Sequence, residues 1–399
     1  MSVMQGFRAL FCAACLNFGL SFIGGAALAV QSSTEEVENA LAGIFKSIAA
    51  ARFDDALVKT EALISARPNY RLAHLIKGDL LMARARPLRN MGAAPNAPAD
   101  KIKDLREEAL ARLKAYRERP PKDQIPRYLL QLRPDQKHAV VVDTKKSRLY
   151  VYENVNGQPR FVADYYMSHG KNGIDKLREG DQKTPIGVYH VTASLPKEKL
   201  ADRYGDAAFP INYPNDWDRR HGRSGSGIWL HGTASDTFAR GPMSSDGCVS
   251  LTNADLNILR PLIQVGLTPV IISDTVEWLS QDNWNSERVA LKDAIEQWRR
   301  DWESLNTDTY LSHYAKNFDG DGLNLRQWSE RKRSVNAGKS WAKIALSNIS
   351  MFRYPGKEDM VVVTFDQDYR SSNLTGNMKK RLYWIKDGAR WKIVDEGGA

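Results

Sequence analysis

From His138 to Asp274 the chain runs in short stretches of β-branched and aromatic residues, cut apart by glycine-rich or polar loops. That punctuation restricts the middle of the molecule to a mainly β fold. "HAVVVDTKKSRLYVYE" places two such stretches on either side of a Lys-Lys-Ser turn, a hairpin signal; "FVADYYMSHG", "GVYHVTASL", "GIWLHGT" and "PVIISD" add further strands. A domain is expected over 136–275. Its long loop from Pro196 to Gly227, "PINYPNDWDRRHGRSGSG" included, is a candidate lid or substrate wall, because long loops inside compact domains are often functional.

The flanks follow other rules. Residues 34 to about 86 place Ala40, Ile44, Ile48, Ala56, Leu57, Leu63, Leu72, Leu75 and Leu80 at helical spacing. Ala56, Pro68 and Gly78 fall where a tetratricopeptide unit puts such residues, and a plain helical hairpin fits them equally well. "RPLRNMGAAPNAPAD" reads as a linker, followed by a charged helix from Lys101 that Pro120-Pro121 stops. The helical region thus spans 31–121. Past 285, an amphipathic helix with Ala290, Ile295 and Trp298 as buried candidates precedes long strands joined by glycine-containing turns, an α+β arrangement over 285–399. "DGDG" at 319–322 has Leu323 where a calcium loop needs an oxygen ligand, so a plain turn is expected.

At 399 residues, 42% hydrophobic and 26% charged, the chain has the balance of a soluble protein of two or three domains. Its net charge of +10 favours an acidic partner, whether nucleic acid, anionic lipid or a polycarboxylate polymer, though no basic run stands out. Residues 1–30 hold Arg8 as their only charge, a long apolar stretch and then Ala27-Leu28-Ala29, which reads as an export signal. The apolar run is also long enough to leave an uncleaved membrane anchor open. Cleavage would remove Cys12 and Cys15 and leave Cys248 alone. A single thiol in an oxidising compartment points to a reactive role.

Acyl transfer by a thiol needs a thiolate, a base and donors for the oxyanion. "HGTASDTFARGPMSSDGCVSL" can supply all three: His231 ends an apolar strand, Cys248 lies 17 positions on, and Gly247 lets a carbonyl approach the N–H groups of residues 247 and 248. Cys248 is then expected to be a thiol of lowered pKa. A zinc site would need ligands that no local spacing provides. His190, in an alternating strand, reads as structural, and His221 as solvated or substrate-facing.

"HGT…SSDGCVSLTNADL", together with "KLREGDQKTPIGVYHV", resembles the L,D-transpeptidases, the YkuD-type catalytic domain, over about 136–275. The resemblance implies a β-rich enzyme of the periplasm, possessing no cofactor or metal, that acts on peptidoglycan stem peptides in cell-wall cross-linking. It makes Cys248 the nucleophile, His231 the base and the Gly232 carbonyl the group orienting its ring. Gly247 and Cys248 N–H groups would hold the oxyanion, and Ser245 would shape the turn. Ser245, Ser250, Asn212, Tyr213 and His221 are the candidate substrate contacts. Two departures, Asp246 and Ser250, replace a histidine or similar residue and an arginine, leaving the acceptor open between a stem amine, a protein lysine and water, the last making the enzyme an L,D-carboxypeptidase or an amidase. Residues 285–396 resemble the nuclear-transport-factor-2-like fold, with Trp298, Trp302, Tyr310 and Tyr314 as core or pocket lining. The helical and C-terminal domains would meet envelope proteins, and nucleic acid is set aside. A non-catalytic envelope scaffold is the competing reading.

Overall fold

The computed structural model describes residues 33–88, 90–93, 97–119, 123–356 and 359–399. The expected signal or anchor, with Cys12 and Cys15, lies outside the described residues, as do Pro120 and Pro121. Four helices open the described chain: α1 (Ser33–Ala49), α2 (Phe53–Ala66), α3 (Arg71–Ala83) and α4 (Ala99–Arg117). Val37, Leu41 and Ile44 from α1 meet Ala56 and Leu63 from α2, Leu72, Ile76 and Leu80 from α3, and Ala109 from α4. Each helix packs on the next and α4 returns to α1. The four-helix cycle buries its apolar stripes on itself, so the tetratricopeptide reading is not confirmed; a repeat array would leave a face open for the next unit.

Polar ties hold these helices to the β domain. Glu38 forms a buried pair with Arg148 at 2.6 Å, and Arg148 reaches Asp164 at the same distance. Thr34 donates through its N–H and Oγ1 to the two oxygens of Asp255, at 3.1 and 2.7 Å. Buried charges survive only when each finds a partner, so these links fix the docking geometry.

The β domain contains a central sheet and a smaller one. After the short β1 (Gln124–Pro126) and β2 (Leu129–Gln131) come β3 (His138–Asp143), β4 (Arg148–Val155), β5 (Gln158–Tyr166), β6 (His169–Gly170), β7 (Gly187–His190), β8 (Leu195–Pro196) and β9 (Ala207–Pro210). Then follow α5 (Asp216–Arg220), β10 (Trp229–His231), β11 (Met243–Ser245), β12 (Val249–Ser250), α6 (Asn253–Leu259) and β13 (Pro269–Ser273). The central sheet has the order β5-β4-β3-β13-β7 and the smaller one β12-β10-β9-β8. β3 and β4 form the expected hairpin, with Lys146 N–H donating to Asp143 at 2.8 Å across its turn. Val140 and Val142 face the core shared with the smaller sheet, while Ala139 and Val141 face the C-terminal domain. Burial on both faces explains why β3 reads as an unbroken apolar run.

The C-terminal domain begins with β14 (Trp278–Ser280), α7 (Gln281–Glu303), α8 (Thr307–Leu311), β15 (Asp319–Gly320), β16 (Leu323–Asn324) and α9 (Leu325–Ala337). Long strands β17 (Ala342–Arg353), β18 (Met360–Ser371), β19 (Thr375–Asp387) and β20 (Arg390–Gly398) complete it. The sheet order is β2-β17-β18-β19-β20, so a strand from before the β domain edges the C-terminal sheet. Trp298, Trp302, Tyr310 and Tyr314 are buried in its aromatic core. Ala290 is exposed instead, and Leu291 takes the buried position beside Ile295. Within "DGDG", Asp319 and Gly320 are β15 and Asp321-Gly322 is the turn that leads to β16.

Candidate active site

His231 and Cys248 are brought together by a strand pair. β10 and β12 run parallel, with Leu230 opposite Val249 and His231 opposite Ser250. Side chains alternate across a strand, so Leu230 and Val249 enter the core while His231, Ser250 and, by continuation of the register, Cys248 share the other face. Distance along the chain is thereby replaced by one diagonal step across a strand pair.

The ring of His231 is fixed from two sides. Nδ1 donates to the Gly232 carbonyl at 2.6 Å, and Ser250 Oγ donates to the same oxygen at 3.0 Å. That carbonyl selects the Nδ1–H tautomer and leaves Nε2 with its lone pair and no protein hydrogen bond among the described residues. Tyr204 packs edge-on to the imidazole at 5.1 Å, and its carbonyl accepts from Gly232 N–H at 2.9 Å. Burial pushes the imidazole down to about 4, so at neutral pH His231 is an uncharged base.

Cys248 rests differently from expectation. Its half-buried thiol donates to the Gly227 carbonyl at 3.3 Å and makes no hydrogen bond to His231. Burial pushes it up to about 11 in spite of the favourable Trp229 backbone contact. The resting pair is therefore neutral thiol and neutral imidazole, in place of the low-pKa thiol read from the sequence.

The turn before the nucleophile is rigid. Gly247 has φ of +122°, and a Cβ there would lie 2.7 Å from the Lys183 carbonyl oxygen. Only glycine fits. Ser245 is almost fully buried; its hydroxyl accepts from Gly247 N–H at 3.1 Å and donates to the Cys248 carbonyl at 2.6 Å. Thus the Gly247 N–H, expected at the oxyanion, is engaged within the turn, whereas the Cys248 N–H has no acceptor among the described residues. Thr184 closes the far side, donating to the Gly247 carbonyl and accepting from Gly170 N–H, both at 2.9 Å.

The candidate substrate contacts all make hydrogen bonds within the fold. Ser245 and Ser250 are spent on the turn and on Gly232. Asn212 Oδ1 accepts from His190 N–H at 2.7 Å, tying down the strand beside it. Tyr213 is buried in the core and donates to the carbonyls of Lys176 and Ser224. His221 caps α5 by pairing Nδ1 with the Trp217 carbonyl at 2.8 Å, and Trp217 packs on Tyr354 and Tyr383 of the C-terminal domain. Asp246 is paired with Lys171 at 3.0 Å, so its charge is offset. His190 is exposed on β7. No three His, Cys, Asp or Glu side chains among the described residues are grouped to hold a metal ion.

Sequence reasoning missed two groups. Asn253 knits the site together: its amide donates to the Thr233 carbonyl at 2.8 Å and accepts from the N–H groups of Thr233 and Asp206. The helical region braces the segment between base and nucleophile. Asn69 Nδ2 donates to the Ser235 carbonyl, Phe238 N–H donates to the Asn69 carbonyl, and the Phe238 ring meets Tyr70 at 5.0 Å. A Cβ on Gly241 would press to 2.9 Å from that of Asp104 on α4. Only the polarity of Asn253 within "SLTNADL" signalled the first group; the bracing contacts span too many residues to be legible.

Comparison with known proteins agrees with this geometry. Residues 137–272 match the model of the L,D-transpeptidase catalytic domain (YkuD), and 290–397 that of the Cds6 C-terminal NTF2-like domain. A curated Escherichia coli K12 protein named as an L,D-transpeptidase, YafK, is 28% identical over 138 residues, 32% of this chain and 51% of that protein. The chain thus spans about half the length of the curated relatives it matches. The solved structure of Bdellovibrio bacteriovorus Bd1075 is 30% identical, with a TM-score of 0.61, over 69% of this chain and 98% of that one. The helical cell shape determining protein Pgp2 of Campylobacter jejuni is 28% identical, with a TM-score of 0.58, over 67% and 95%. A histidine fixed on a strand end, a cysteine at the entry to the neighbouring strand and likeness along nearly all of Bd1075 lead to one conclusion: the chain belongs to the L,D-transpeptidase (YkuD) family and carries a C-terminal NTF2-like domain.

Proposed function

We propose that the protein is a periplasmic L,D-transpeptidase that remodels peptidoglycan through a thioester on Cys248. The observation that carries this reading is the parallel β10–β12 pairing, which sets Cys248 one step from a neutral His231 with Nε2 open. On substrate binding the thiol leaves the Gly227 carbonyl, and Nε2 takes its proton as Sγ attacks the carbonyl carbon at the L-centre of the third stem residue. The Cys248 N–H faces the developing oxyanion; the Gly247 N–H joins it if Ser245 Oγ turns away. Collapse breaks the C–N bond, Nε2 returns its proton to the departing amine of D-alanine, and the thioester remains. A stem amine then attacks, giving up a proton to His231 and releasing Cys248, which forms the cross-link.

Water in the amine's place gives carboxypeptidase activity, and a protein lysine a protein linkage. Ser250 puts a neutral side chain where an arginine is common in the family, so product analysis decides the acceptor. Incubation of disaccharide tetrapeptides with the protein and with Cys248→Ala, followed by mass spectrometry, supplies it. Cross-linked dimers dependent on Cys248 support transpeptidation, tripeptide with free D-alanine and no dimers supports hydrolysis, and neither product overturns the reading. No helix among the described residues is long and apolar enough to cross a membrane. By likeness to Pgp2, described as a determinant of helical cell shape, the cellular outcome proposed is control of cell shape.

A further inference from the structure

Beside His231 stands a wall that ends in a cation, Arg203, without an ion pair among the described residues. Tyr204 lies edge-on to the imidazole at 5.1 Å and tilts over Trp229 at 4.7 Å. Arg203 covers the Tyr204 ring with its guanidinium carbon 4.8 Å from the centroid, and Nη2 donates to Tyr204 Oη at 2.9 Å. Stacking and that hydrogen bond hold an exposed side chain in one place. The adjacent carboxylate, Asp202, is occupied by Ser235 N–H at 3.3 Å.

Arg240 lies on the segment that runs from His231 to Cys248. Its carbonyl accepts from Tyr166 Oη at 2.8 Å and Ser168 Oγ at 3.2 Å, and Ser168 pairs through its main chain with Ser250, two residues from the nucleophile. Several neighbouring cations are paired, Lys171 with Asp246, Lys176 with Asp181, Lys197 with Asp206 and Arg223 with Asp218. Arg203 and Arg240 form no ion pair among the described residues. The charges of both are felt at His231, and that of Arg240 also at Cys248.

We propose that Arg203 and Arg240 form a clamp for the free carboxylate of the residue that the reaction expels. The chemistry sets its direction. His231 must hand a proton to the departing amine, so that amine lies against the imidazole, and its carboxylate, two bonds further on, falls along the Tyr204 wall. Guanidinium groups suit a carboxylate there because their fork of donors matches its two oxygens. The inference rests on the transpeptidase reading and deepens it: the substrate is a stem ending in a free D-amino acid.

The test compares tetrapeptide stems ending in D-alanine with the same stems ending in D-alaninamide. The wild-type protein is expected to favour the acid by about 10- to 100-fold in kcat/KM, the range for charge-assisted hydrogen bonds. Arg203→Ala and Arg240→Ala should each shrink that preference, mainly through KM for the acid. Arg203→Lys should restore part of it. Equal use of acid and amide by the wild type, or parallel loss on both substrates in the variants, would overturn the clamp. Absence of turnover on any stem would instead sink the transpeptidase reading. Calorimetric binding of the same two stems to Cys248→Ala then decides the clamp separately: an acid preference that the arginine variants abolish supports it, and equal or absent binding overturns it.

Discussion

Raising pH should awaken Cys248 much later than it would an ordinary thiol. Burial moves its pKa from 9.0 to about 11, and the thiol's hydrogen bond goes to the Gly227 carbonyl, away from His231. Two units mean about 100-fold less thiolate at any pH below 9, equivalent to about 2.7 kcal/mol. A more basic thiolate is a better nucleophile, with a Brønsted slope near ~0.5, so about tenfold of that deficit returns. Alkylation by iodoacetamide should therefore run about tenfold slower than that of a free cysteine at pH 7, and climb about tenfold per pH unit towards pH 11. Peptide-resolved mass spectrometry separates Cys248 from Cys12 and Cys15. The substitution His231→Ala should leave the profile in place, because the resting thiol donates to the Gly227 carbonyl and makes no hydrogen bond to the ring. A plateau already reached below pH 8, lost in His231→Ala, would refute the reasoning by revealing a preformed thiolate–imidazolium pair.

Gly247→Ala should lower acylation by about 100-fold or more while circular dichroism stays native, since the new Cβ meets the Lys183 backbone and tilts the turn that carries the Cys248 N–H. Phe238→Ala should reduce kcat by about 10- to 100-fold with KM held, because the ring anchors the base-to-nucleophile segment on Tyr70; rescue by Phe238→Tyr separates positioning from general damage. Glu38→Ala should cost about 3 kcal/mol, the low end for breaking a buried pair, because Asp164 still answers Arg148; a lowered thermal midpoint and faster trypsin cleavage of the helical region would register it.

Much of this architecture was legible wherever local pattern and burial coincide. The β3–β4 hairpin announced itself because alternation and a polar turn arise from neighbouring residues, and His231 and Cys248 because they sit in a polar, glycine-bearing stretch between core strands. Loop polarity alone did not resolve Asn212, Tyr213 and His221: polar side chains serve as well to satisfy backbone as to meet a ligand, and the bonds of Asn212 and Tyr213 reach β7 and Lys176, 22 and 37 residues away, while His221 bonds Trp217 within its own turn. The α7 stripe was read one residue out at Ala290, a rotation of about 100° that helical periodicity alone does not resolve. Two features depend wholly on long-range packing. β2 is three residues long and acquires meaning only as the edge of the β17 sheet. The brace at Asn69 and Phe238 joins segments 166 and more residues apart. The resting state of Cys248 was hidden too, because a thiol's pKa is set by burial that a motif does not encode.

The most direct test of the central claim is the intact mass of the protein during turnover of a disaccharide tetrapeptide, with Cys248→Ala and His231→Gln beside it. The account predicts an adduct on Cys248 equal to the stem minus one D-alanine, released as free amino acid in equal amount, with no adduct in Cys248→Ala and a much slower one in His231→Gln. D-Alanine released by Cys248→Ala at the wild-type rate, or an adduct carried by another residue, would contradict it.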